Sequence, residues 1–247
     1  MSHKTVISTN DLAIGYKKKP TLKELNLSIE ESSFICLLGV NGIGKSTLIK
    51  SLSGLIPILN GDIKYRDKNL HLLTKEELAR KISIVLNNQG VNQQLSVQEL
   101  ISLGRSPFTS WLGRIKKEDL QKINHAANIC GIEHLKNKTL GQISDGERQR
   151  AMIARCLAQD TEVLFLDEAM AFLDYPSKYQ LIKLLKSLTK EQKKSILLST
   201  HDWELALQIA DKIWFIEESN ILIVRPDEIN QQERFQKIFK RYGFYFD

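Results

Sequence analysis

Three short stretches of this 247-residue chain are apolar at every position: Phe34 to Leu38 (FICLL), Val163 to Leu166 (VLFL) and Ile196 to Leu198 (ILL). A strand with one wet face alternates apolar and polar residues, so unbroken runs of this length read as strands covered on both faces, as in a parallel sheet. Long stretches of helical spacing separate them, and that alternation predicts an α/β fold. Residues from about 88 to 143 lack such runs and read as helices around Val97 to Leu103 and Lys117 to Cys130. This predicts a helical subdomain inserted into one domain covering residues 1–247. At the far end, Gln231 to Asp247 reads as an amphipathic helix and a short extended end, suited to core packing or a dimer contact.

The residues just after each run carry the chemistry. Gly39 comes after the first, Asp167 and Glu168 after the second, and His201 shortly after the third. Ligands of open α/β sheets sit outside the carboxyl ends of the strands, so these groups are expected at one crevice. Residues 39–47 read Gly39-Val40-Asn41-Gly42-Ile43-Gly44-Lys45-Ser46-Thr47, a match to G-x-x-x-x-G-K-[ST] with a strand before and a helix after. Such glycines let successive backbone N–H groups face inward at a helix N-terminus, forming an anion nest. Lys45 is then placed to reach the β- and γ-phosphates and the Ser46 hydroxyl to ligate Mg²⁺. Asp167, ending a buried strand, can hold the metal through water, and Glu168 beside it can polarise an attacking water. Ser144 and Glu147 form an S-x-x-E capping box that starts another helix, with Gly146 allowing close approach of a phosphate.

Composition narrows the class without choosing a function. The chain is 42% hydrophobic and 26% charged, and its 35 Lys and Arg exceed its 29 Asp and Glu for a net charge of +6. Those are ordinary globular values, and the modest basic excess fits contact with nucleotides, nucleic acid or anionic lipid but by itself reads most simply as a soluble surface. Lys17-Lys18-Lys19 reads as a solvated face. Cys36, Cys130 and Cys156 show neither metal-site nor disulfide spacing and read as buried small hydrophobes in a reducing compartment. No apolar run approaches the roughly 18 residues of a membrane-spanning helix, and the opening residues do not resemble a signal peptide, so a cytosolic chain is expected.

Ile143-Ser144-Asp145-Gly146-Glu147-Arg148-Gln149-Arg150 resembles the signature of ATP-binding cassette (ABC) ATPases, and with the phosphate loop and VLFLDE on either side it identifies the family. The resemblance runs from about residue 5 to 230. It implies a P-loop ABC ATPase fold with a mostly parallel central sheet, an N-terminal antiparallel β part and an inserted helical subdomain. ATP and Mg²⁺ are the implied cofactors. Tyr16 resembles the aromatic that stacks on adenine, Leu173-Asp174 the loop that communicates between subunits, and His201 the switch histidine at the γ-phosphate. Ser144, Asp145, Gly146 and Glu147 of one copy are expected to meet the phosphate held by another, so that two chains sandwich two ATP molecules head to tail.

Three departures from the family pattern stand out. Where a Gln that senses Mg²⁺ is usual, after a strand like Ile82 to Leu86, this chain has Asn87-Asn88-Gln89; either Asn88 or Gln89 fits, and Gln89 is taken as the metal-side residue. After Glu168 comes Ala169-Met170 in place of Pro-Thr, losing backbone rigidity but no catalytic group. Asp145 and Glu147 replace the commoner Gly and Gln, adding negative charge where phosphate is expected.

The segment Leu95-Ser96-Val97-Gln98-Glu99-Leu100, then Leu103-Gly104-Arg105-Ser106-Pro107, resembles ABC proteins serving iron-siderophore, haem and cobalamin uptake. Thr109-Ser110-Trp111-Leu112-Gly113-Arg114 adds to that likeness. The implied partners are a second copy of the chain, a separate polytopic permease and a substrate-binding protein, on the cytoplasmic face of the bacterial inner membrane, with no nucleic acid. The alternatives are a soluble ABC ATPase acting on ribosomes or DNA, or a non-transport cassette bound to a membrane protein.

Overall fold

The computed structural model describes residues 4–86, 90–109, 114–171, 173–231 and 233–241. The chain opens with an antiparallel sheet: β1 (Thr5–Tyr16), β2 (Lys19–Leu25) and β3 (Ser28–Glu30), completed later by β5 (Asn60–Tyr65) and β6 (Lys68–Asn69). The β1–β2 hairpin turns on Lys17 and Lys18 with φ of 50° and 62°, the left-handed conformation that two-residue hairpin loops require. These lysines and Lys19 are exposed, as a solvated run should be.

The second sheet runs β11-β10-β4-β9-β8-β7. Its strands are β4 (Phe34–Leu38), β7 (Ile82–Val85), β8 (Val163–Asp167), β9 (Ser195–Ser199), β10 (Lys212–Glu217) and β11 (Asn220–Val224). Every pairing is parallel except β10 with β11. The three apolar runs are three of the four interior strands, adjacent to one another, and all their residues are buried. Their two faces serve different layers. Phe34, Cys36, Leu38, Leu164, Leu166, Ile196 and Leu198 join one core with the helical layer. Ile35, Leu37, Val163, Phe165 and Leu197, the alternate positions, join a second core with the N-terminal sheet and α1 (Lys45–Leu52). Each such side chain contributes roughly 1.5–3 kcal/mol by leaving water. β10, with Trp214 and Phe215 fully buried, is a parallel strand that the apolar runs alone did not reveal.

After the short α2 (Lys75–Ala79) come α3 (Val97–Ser102), α4 (Lys117–Ile129) and α5 (Asp145–Ala158), packed on one another through Leu100, Ile101, Ile123, Ala126 and Ile153. The Leu103-to-Pro107 segment is a 3-10 turn with a specific packing role. A Cβ on Gly104 would stand 2.2 Å from the Arg155 carbonyl oxygen of α5. Arg105 is buried, donating to Asp119 Oδ1 at 2.9 Å and to the Ala158 carbonyl at 2.9 Å, and lying 4.1 Å from the Phe108 ring centre. It ties α3, α4 and the end of α5 together. Residues 110–113, part of the importer-like segment, lie outside the described residues.

The chain ends in α6 (Tyr175–Glu191), α7 (Trp203–Ile209), α8 (Pro226–Gln231) and α9 (Glu233–Arg241). The expected C-terminal helix is thus present as α9, with Phe235 packed against the core; the expected extended end lies outside the described residues. All three cysteines are free and buried, and burial pushes the Cys156 thiol up to about 11 and the Cys130 thiol up to about 12.

Candidate functional site

Strand register levels the carboxyl edge of the large sheet. Ser199 of β9 pairs with Leu37 of β4 on one side and Asp167 of β8 on the other, so three strand ends finish side by side. Gly39 leaves the first of them and begins the 39–47 loop. Gly42 has φ +76° and Gly44 φ +120°, both in the region open to glycine. A Cβ on Gly44 would come within 2.9 Å of Thr21 Cγ2, so β2 backs the loop closely. The hairpin that carries Thr21 also carries Tyr16, which is 53% exposed and pairs across to Lys19. Tyr16 therefore sits on the same hairpin as the residue that backs the loop.

Helix α1 begins at Lys45 on a Gly44 N-cap that supplies no side-chain acceptor. The first N–H groups of a helix lack intrahelical partners and carry its positive end. Val40, Asn41 and Gly42 at the loop tip are exposed, Ile43 and Ser46 half-buried and Thr47 buried. Lys45 is only 5% exposed and its Nζ donates to the carbonyls of Gly39 at 2.8 Å and Val40 at 3.2 Å. Burial lowers its pKa, while the charges of Glu168 and Asp167 oppose that shift. A cation placed between the loop and two carboxylates suits a polyanion carrying its own counter-ion.

Across the edge, the carboxylates are held from β9. The Ser199 hydroxyl donates to Asp167 Oδ1 at 2.7 Å and accepts from the Glu168 N–H at 2.9 Å. Glu168 has φ +50°, a strained backbone for a residue with a Cβ, costing on the order of 1–3 kcal/mol. His201 Nε2 lies 2.8 Å from Glu168 Oε1; an ionised carboxylate only accepts, so the ring proton belongs on Nε2 in this contact. Glu168, Ser199, Thr200 and His201 line a cleft of about 440 Å³, together with Met170 and Lys178. Ala169 and Met170 are buried, and Ala171 N–H donates to the Glu168 carbonyl at 3.1 Å. The turn after Glu168 is thus held by packing and hydrogen bonding without the usual proline.

A resident metal would need hard oxygen donors, and Asp167 with Ser46 supplies that type. Among the described residues no group of three or more His, Cys, Asp or Glu could hold an ion alone. Two protein oxygens plus phosphate oxygens is the pattern Mg²⁺ takes at nucleotide sites, so the residues fit. Gln89, expected on the metal side, and Asn88 lie outside the described residues.

The second predicted region is the start of α5. Ser144 caps the helix by accepting from Glu147 N–H at 3.2 Å, while Glu147 Oε2 accepts from Ser144 N–H at 2.8 Å and from its hydroxyl at 2.9 Å. Asp145 pairs with Arg148 at 2.8 Å, and Arg148 also donates to the Leu140 carbonyl. The backbone hydrogen bond from Ser144 holds the Glu147 carboxyl below the usual carboxylate range. The extra negative charges of this segment therefore have local partners within residues 144–148. Gly146 is half-buried between them. Asp174 caps α6 by accepting from Ser177 N–H at 3.0 Å, and hydrogen bonds from the Ser177 side chain and then its backbone lower the Asp174 pKa.

The model of the ABC transporter family matches residues 22–171, more than half the chain, from β2 past the VLFLDE strand. The chain belongs to the ABC transporter family. FpuC of Bacillus anthracis, a petrobactin import ATP-binding protein, is 33% identical over 95% of this chain and 86% of its own length. FhuC of Bacillus subtilis, an iron(3+)-hydroxamate import ATP-binding protein, is 32% identical over 91% and 86%. The solved structure of cbiO1 from Clostridium perfringens, part of the transporter complex cbiONQ, superposes with a TM-score of 0.79 at 27% identity, covering 96% of this chain and 95% of that one. The chain is thus an ABC ATPase with a nucleotide-binding domain, and both of these Bacillus relatives are ATP-binding proteins of import systems. Among the described residues no helix is long and apolar enough to cross a membrane.

Of the residues marked in the sequence, the fold brings Lys45, Asp167, Glu168 and His201 to one strand edge. It places Ser144 to Glu147 on a separate helix N-terminus. Ser199 was missed as a functional residue, because a serine at the end of an apolar run reads as the strand's polar stop.

Proposed function

We propose that this chain hydrolyses ATP with Mg²⁺ to energise uptake of an iron–siderophore complex through a separate membrane permease. The hydrogen-bonded row Asp167–Ser199–Glu168–His201, facing Lys45 across the strand edge, carries the hydrolytic part of the reading. Residues 39–47 wrap the phosphates with backbone N–H groups and Lys45 neutralises their charge. Ser46, and Asp167 through water, would hold Mg²⁺, which would neutralise charge on the phosphate oxygens when bound. Glu168 accepts a proton from the attacking water, and His201 orients its carboxylate and meets the γ-phosphate. Tyr16 stacks on the base. Ser144, Gly146 and the N-terminus of α5 contact the phosphate held by a second copy, with Asp174 near the same junction, so the active form is a head-to-tail dimer. Asp145 and Glu147 position that helix end through Arg148 and Ser144.

The siderophore reading rests on the relatives named for petrobactin and iron(3+)-hydroxamate import, which match over most of both chains. It places the protein peripherally on the cytoplasmic face of the membrane, with a substrate-binding protein delivering cargo to the permease. The test is to express tagged Glu168→Gln in its native cell, solubilise the membranes with ATP present, and identify what co-purifies. Recovery of a polytopic membrane protein, together with loss of iron–siderophore uptake in cells lacking this chain, is the expected result. Recovery of ribosomes or nucleic acid without a membrane protein would overturn the transport reading.

A further inference from the structure

Ser199 is the last residue of β9 and its side chain is wholly buried. A hydroxyl offers one proton and two lone pairs. Here the proton goes to Asp167 Oδ1 at 2.7 Å and a lone pair takes the Glu168 N–H at 2.9 Å. Strand pairing adds a third constraint, because Ser199 and Asp167 are register partners between β9 and β8. The side chain thus touches the proposed metal ligand and the proposed base at once. Glu168 is held in the left-handed region at φ +50°, a conformation that persists only where neighbours over-determine it. Ser199 fixes its backbone, and His201, two residues further along the same strand end, fixes its carboxylate at 2.8 Å.

We infer that Ser199 is a positioning residue for hydrolysis, aligning the Asp167 carboxylate with the metal and the Glu168 carboxylate with the attacking water through a single hydroxyl. The inference rests on the proposed roles of Asp167 and Glu168. It also separates two effects that a general packing role would merge. Removing the hydroxyl leaves the 39–47 loop and Lys45 untouched, so nucleotide without metal should bind as before. What weakens is the contribution of the metal and the rate of the chemical step.

The experiment measures Ser199→Ala in two ways beside wild type and Glu168→Gln. Steady-state hydrolysis with Mg²⁺ should show kcat down about tenfold or more, since each 1.36 kcal/mol of barrier is a factor of ten, with KM for ATP raised in step with the weaker metal-supported binding. Binding of a fluorescent ATP analogue, with Mg²⁺ and with EDTA, should show the gain in affinity from Mg²⁺ shrinking several-fold while the EDTA affinity is unchanged. Ser199→Cys, which fills similar space with a weak donor, should move both readouts in the same direction by less, and serves if Ser199→Ala does not fold. Unchanged kcat and unchanged Mg²⁺ gain in the folded variant would overturn the inference, as would equal loss of affinity with and without Mg²⁺. If Glu168→Gln itself hydrolyses at the wild-type rate, the reading of Glu168 as base has failed instead.

Discussion

The carboxyl edge of the large sheet and the start of α5 are both marked for phosphate, yet they are built differently. At the edge, Asp167, Glu168, Ser199 and His201 come from two strand ends and are cross-linked by hydrogen bonds of 2.7 to 2.9 Å, while Lys45, from the helix beyond a third strand, bonds to the carbonyl of Gly39 in its own loop. At α5, Ser144, Asp145, Glu147 and Arg148 are neighbours in sequence that bond to one another, and Arg148 also reaches back to the nearby Leu140 carbonyl. The same local geometry recurs at α3, where Ser96 accepts from Glu99 N–H at 3.2 Å and Glu99 Oε2 accepts from Ser96 N–H at 2.7 Å. A capping box therefore says only that a helix begins; a strand edge that gathers distant residues says that chemistry can occur there.

The sharpest way to break this comparison is at the edge. Glu168→Gln keeps the side chain's shape but removes the base, so hydrolysis should fall by about 10² to 10⁴ while ATP still binds and the two-chain form accumulates in ATP. Phosphate release and size-exclusion chromatography read the two effects. The helical layer should respond in stability. Arg105→Ala leaves the buried Asp119 without its cation and should cost about 3 kcal/mol. Thermal unfolding detects that as a drop of roughly 2–4 °C per kcal/mol for a chain of this size.

The two capping boxes allow a closer test. Ser96→Ala and Ser144→Ala should each lose about 1 kcal/mol of stability by denaturant unfolding, because each removes the same cap. Only Ser144→Ala should also slow hydrolysis, and equal activities in the two variants would mean that the α5 start is merely a helix end. Tyr16→Ala should weaken nucleotide affinity only a few-fold, the scale of one aromatic contact of about 0.5–1.5 kcal/mol. The smallest effect concerns pH. Glu99 and Glu147 are both held below the usual carboxylate range by a backbone hydrogen bond from Ser96 and Ser144 respectively. A depressed folded pKa stabilises above the unfolded value, about 4.3 for Glu, and that stability is lost as pH falls through the folded one. Melting curves from pH 6 downward should therefore show a shallower acid loss in Glu147→Gln than in the parent chain.

Much of this protein was legible in one dimension because its main signals are local. An all-apolar run states that both faces of a strand are covered, and G-x-x-x-x-G-K-S states that backbone must curl ahead of a helix. The S-x-x-E start of α5 and the helices around Val97 and Lys117 obey rules that span four residues. β10 was not legible in that way, since its place beside β4 depends on a partner far upstream. Arg105 was legible only as part of a family-like segment, and its burial against Asp119 and the end of α5 is a fact of packing.

By itself, then, the amino-acid sequence determined the fold class, the phosphate loop, the acidic strand end and the capped signature helix, because each is set by periodicity or by short-range backbone chemistry. Only the tertiary structure decided that Ser199 clasps both Asp167 and Glu168, that Arg105 is paired with Asp119, and that β2 stands behind Gly44. Those contacts depend on strand register and on side-chain geometry within hydrogen-bonding distance, and neither is encoded in the spacing of residues along a chain.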